Sequence, residues 1–113
     1  MPGCRTVPWT EVLGAWPQEP MASLVQFLAS ARYARSLFPC ISQDSLLVGR
    51  TPNFEAGSGE LQIRFDGELR QFTFTHRQRA DDPQPWTREC AAGEWRPVLE
   101  RILHKRLQWF HEG

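Results

Sequence analysis

Between Glu60 and Arg77 the residues alternate between apolar and polar, and no other stretch restricts the fold as much. Leu61, Ile63 and Phe65 alternate with Gln62 and Arg64, so a strand built from them has one apolar face and one polar face. Asp66-Gly67 is a turn dipeptide, and beyond it Phe72, Phe74 and His76 alternate with Gln71, Thr73 and Thr75. The two apolar sets must share a face, because a slip of one residue would turn one of them to solvent. That excludes a three-residue loop and requires an even one. A two-residue turn pairs Leu61 with Phe72 but sets Ile63 against Arg70. A four-residue loop, Asp66 to Leu69, pairs Ile63 with Phe72 and Leu61 with Phe74, and is the preferred reading.

A hairpin with one apolar face needs a cover, and helical spacing supplies it. Leu24, Val25, Leu28, Ala31 and Arg35 form a stripe widened by Met21, Phe27 and Ala34, which predicts a buried helix from Pro20 to about Ser36. Trp9, Val12, Leu13 and Trp16 predict a shorter helix over Thr6–Trp16, stopped by Pro17. Trp95, Val98, Leu99, Ile102, Leu103, Arg106 and Phe110 predict a last helix from about Ala92 to Phe110, with Pro97 near its first turn. Leu46–Gly49 has the length and composition of a strand. Residues 51–59, pinned by Phe54, and 78–89, with Trp86 folded back onto the core, read as loops.

The resulting order is α-α-β-β-β-α. It predicts one α+β domain over residues 1–113, a small antiparallel sheet of about three strands with helices packed on one face. The place of the first strand relative to the hairpin is left open. This order is similar to that of several small bacterial accessory and immunity proteins, but an order of elements is not a motif.

Charge and cysteine usage narrow the class of function. Thirteen basic and thirteen acidic side chains cancel, whereas proteins that live on nucleic acid carry a basic surplus. Cys4, Cys40 and Cys90 are odd in number and widely spaced, which speaks against a disulfide framework. Met1–Arg5 has no apolar signal segment, and no apolar run is long enough for a bilayer. The expectation is a cytoplasmic chain with no membrane contact, no disulfide and a stability indifferent to reductant.

The chemistry-bearing residues are sparse. A cysteine nucleophile needs a base within hydrogen-bond reach, and Cys40, Cys90, His76, His104 and Asp44 match no local signature of a cysteine enzyme. His76 reads as a half-buried histidine at the sheet end, and His104 as an exposed partner of Glu100 four residues earlier. Asp81-Asp82 reads as a solvated turn. Ligand spacings for a metal and a phosphate-binding glycine loop are missing, so neither cofactor nor metal is expected.

The leading expectation is therefore a non-enzymatic protein-binding module of the accessory, adaptor or immunity type, with a homodimer as a further form of partner. Its candidate contact residues are Trp9, Trp16, Arg64, Arg70 and Arg77, since Trp and Arg are over-represented among interface anchors. The alternative is a nucleic-acid-binding domain that uses the Arg-bearing polar face of the sheet. A small cysteine- or histidine-dependent enzyme comes third.

Overall fold

Among the described residues, five antiparallel strands form one sheet in the order β1-β2-β3-β4-β5, each paired with its neighbour in sequence. They are β1 (Phe38–Ser42), β2 (Ser45–Gly49), β3 (Leu61–Asp66), β4 (Gln71–His76) and β5 (Trp86–Ala91). The helical elements are α1 (Trp9–Val12), α2 (Glu19–Leu28), α3 (Ala31–Ala34) and α4 (Trp95–Arg101), the last preceded by a 3₁₀ turn and continued by a π-helical turn, Ile102–Arg106. The computed structural model describes residues 6–42, 45–51, 59–77 and 84–110. Phe54, Asp44, Asp81 and Asp82 lie outside the described residues, as does Cys4.

The α+β class and the single antiparallel sheet agree with the sequence, while the sheet has five strands where about three are expected. The two additional strands lie at its edges. β1 holds Pro39, whose missing N–H is tolerated only where no ladder bond is needed, and β5 has charge on both faces, so neither shows the alternation of a half-buried strand. β2 lies between β1 and β3, which settles the order that the sequence leaves open.

The hairpin has the predicted parity and a different register. Its four-residue loop is Gly67–Arg70, with Asp66 opposite Gln71, Phe65 opposite Phe72, and Ile63 opposite Phe74. Asp66 accounts for the shift: its Oδ1 accepts from the backbone N–H of Glu68 at 2.9 Å and of Leu69 at 3.1 Å. The carboxylate folds the loop from outside it, a favoured local bond of Asp in turns.

One face of the sheet and the helices enclose the core. Leu46, Val48, Leu61, Ile63, Phe72, Phe74 and Cys90 contribute from the strands, Met21, Leu24, Val25 and Leu28 from α2, and Leu99, Ile102 and Leu103 from the last helix. The helix expected over residues 20–36 is broken at Ser30, whose backbone is extended (ψ 157°). The break allows buried Tyr33 to reach Phe27 at 5.0 Å between ring centres; on one continuous helix, residues six apart point to different sides. The first helix is one turn, much shorter than Thr6–Trp16, and is held by tertiary contact, as short helices must be.

Candidate functional site

The last helix builds the site. It does not run regularly to Phe110: the Leu107 N–H bonds the Ile102 carbonyl at 2.8 Å, five residues back, and Gln108 turns left-handed (φ 56°). A π-type turn admits about one more residue per cycle, so Leu107 takes the core side that regular spacing gives to Arg106. Leu107 packs against the core, and Arg106 is exposed. The guanidinium of Arg106 then lies 5.0 Å from the ring centre of Trp86 on β5.

This contact lies in a groove of about 500 Å³ between β5 and the helix, lined by Trp86, Arg88, Glu94, Pro97, Val98, Arg101, Ile102, Lys105 and Arg106. Strand parity puts Trp86 and Arg88 on the inner face of β5, and Trp86 packs against the core as the sequence suggests, from a strand rather than a loop. Pro97, Val98, Ile102 and the indole of Trp86 supply the groove's apolar lining. Arg88, Arg101, Lys105 and Arg106 line it as well, and Glu94 is the sole carboxylate in the lining. Four cations against one anion make a local positive field in a chain with no net charge. The arrangement suits a ligand that is apolar along one side and carries carboxylates.

The candidate residues read from sequence do not form one patch. Trp9 is half-buried and its Nε1–H donates to the Leu37 carbonyl at 3.0 Å; Trp16 is also half-buried against the core. Arg64 is exposed on the outer sheet face, in register with Thr73 and, one strand further, Glu89. Arg70 and Arg77 flank opposite ends of β4 and are both exposed. The aromatic residues Phe72 and Phe74 are buried on the other face, so the outer face offers no stacking platform for bases at those positions. The residues that sequence reasoning does not single out as a site are Trp86 and Arg88, assigned there to a loop, Lys105, and Arg106, placed there in the stripe of the last helix.

His104 is not an exposed partner of Glu100. Its Nε2 and the hydroxyl of buried Tyr33 share a hydrogen bond of 3.2 Å, and Phe110 packs on both rings. Glu100 pairs with Arg96 at 3.6 Å. Cys90 is a buried free thiol; burial raises its pKa, the Glu94 carboxylate adds to the rise and Arg88 opposes it, so it stays protonated near neutrality. Cys40 is disulfide-bonded, contrary to the expectation of reduced cysteines, and widely spaced cysteines in a sequence do not exclude such a bond. Among the described residues no group of three or more His, Cys, Asp or Glu is placed to hold a metal ion, and no helix is long and apolar enough to cross a membrane. Compared with known protein families, curated proteins and solved structures, the chain matches none, and its function is argued from the groove itself.

Proposed function

We propose that this chain is a non-enzymatic protein-binding module whose groove beside β5 receives an acidic segment of a partner protein. The observation that carries the reading is a groove lined by Arg88, Arg101, Lys105 and Arg106 together with apolar residues, with Glu94 as its one carboxylate. Charged groups of this kind steer encounter and select partners by complementarity, and the Trp86 indole supplies a rigid aromatic contact of the kind that dominates binding hot spots.

The test is a titration of a fluorescein-labelled peptide of alternating Glu and Leu, followed by anisotropy at two salt concentrations. Binding should weaken about tenfold in Arg101→Glu and in Lys105→Glu, a loss of about 1.4 kcal/mol each. Both positions are exposed, so the fold should be kept. Tighter binding of mixed single-stranded DNA than of the peptide, with a steep salt slope, would favour the nucleic-acid alternative instead.

A further inference from the structure

We infer that the acidic segment binds as an added sixth strand on the outer edge of β5, an inference that rests on the groove reading above. β5 ends the sheet, and among the described residues nothing pairs with its outer side. The register shows which of its backbone groups face outward. The Ala92 N–H bonds the Arg70 carbonyl at 2.9 Å, so Arg70 and Ala92 stand in a hydrogen-bonded position of the β4–β5 ladder. Such positions alternate in an antiparallel pair. Cys90, Arg88 and Trp86 therefore exchange their bonds with Phe72, Phe74 and His76. Ala91, Glu89 and Thr87 direct their N–H and C=O groups away from β4, and all three residues are exposed.

The opposite edge of the sheet differs. β1 contains Pro39, whose carbonyl accepts from the Val7 N–H at 3.1 Å, and proline on an edge blunts it against further pairing. β5 has no proline and a run of six residues. A strand added at the usual spacing of about 4.8 Å would lie beside the groove, whose lining includes Glu94, Val98, Arg101 and Lys105. Its alternate side chains would drop into the groove, among the cations already described. The other set would lie on the outer face beside Glu89, where carboxylates repel. The occupant is thus an extended peptide of about six residues with acidic side chains at every second position.

Proline substitution separates edge pairing from simple charge attraction. At Glu89 the N–H faces outward, so Glu89→Pro removes a donor for the added strand without removing a β4–β5 bond, and edge strands tolerate this. With the Glu/Leu peptide as probe, Glu89→Pro should bind about tenfold more weakly than Glu89→Ala, their circular dichroism spectra being alike. The same probe N-methylated at alternate residues should lose binding in one phase and keep it in the other, which tests the pairing without altering the protein. Equal binding of Glu89→Pro and Glu89→Ala, with both methylated phases intact, overturns the added strand; a retained loss in Arg101→Glu then leaves the groove reading standing. If Arg101→Glu binds normally as well, or the wild-type chain fails to bind the probe, both readings fall. Concentration-dependent dimerisation abolished by Glu89→Pro, with the peptide unable to compete, would make the occupant a second copy and overturn the acidic-segment assignment.

Discussion

Arg70 holds a left-handed backbone, φ 50°, at the last position of the β3–β4 loop. That conformation costs a residue with a Cβ roughly 1 kcal/mol and costs glycine little. Arg70→Gly should therefore raise the stability measured by urea unfolding by about 0.5 kcal/mol at most, because the extra freedom glycine gives the unfolded chain offsets about 0.4–1 kcal/mol of the relief. Two residues further on, the side chain of Phe72 is fully buried. Phe72→Ala should cost about 3–5 kcal/mol, and Thr73→Ala, on the outer face, within about 0.5 kcal/mol. Cys90 is measurable through pH. Because its pKa is raised, the folded chain keeps the thiol proton after the unfolded chain has released it. Its contribution is present below the ordinary value of 9.0 and is lost as pH rises beyond it. The unfolding midpoint should fall more steeply above that pH in the wild type than in Cys90→Ala.

At the scale of elements, α1 closes one end of the core: Val12 is fully buried and Trp9 is tied to the chain just before β1. Trp9→Phe should cost about 1 kcal/mol for the lost bond to the Leu37 carbonyl. Trp9→Ala should cost about 3 kcal/mol, near the low end for a truncated aromatic because the ring is half-buried. Near-neutral effects in both would place α1 outside the cooperative fold. The central hairpin was legible in the sequence because burial on one face writes a period of two into the residues. β5 was not, since its inner face holds Arg88 between Trp86 and Cys90, and Glu89 on the other face leaves no apolar–polar alternation to read. Helical spacing located α2 and α4 but concealed the break at Ser30 and the π-type turn. Both depart from the regular period that the spacing argument assumes, and the second one moves Arg106 to the groove. The site was therefore unreadable for a physical reason: its walls are an edge strand without alternation and a helix turn out of phase.

For the whole molecule, the disulfide at Cys40 makes stability depend on redox conditions. The sequence alone suggests a chain indifferent to reductant, because three cysteines far apart imply no framework. In the structure Cys40 is disulfide-bonded and lies on the outer sheet face with Phe38 and Leu47, apart from the main core, while Cys90 is a free thiol within it. A disulfide restricts the unfolded chain and typically contributes about 2–4 kcal/mol. In a domain of this size that corresponds to a midpoint shift of roughly 10 °C or more. Reductant should therefore lower the thermal midpoint, and Cys40→Ala should lower it by a similar amount and abolish the response. Cys90→Ala should leave the response intact. Thiol counting gives an independent check: denatured without reductant the chain should take up one equivalent of maleimide, at Cys90, and all three after reduction. A midpoint unmoved by reductant, together with three reactive thiols before it is added, would show that Cys40 is reduced and that the sheet is held by its packing and ladder bonds.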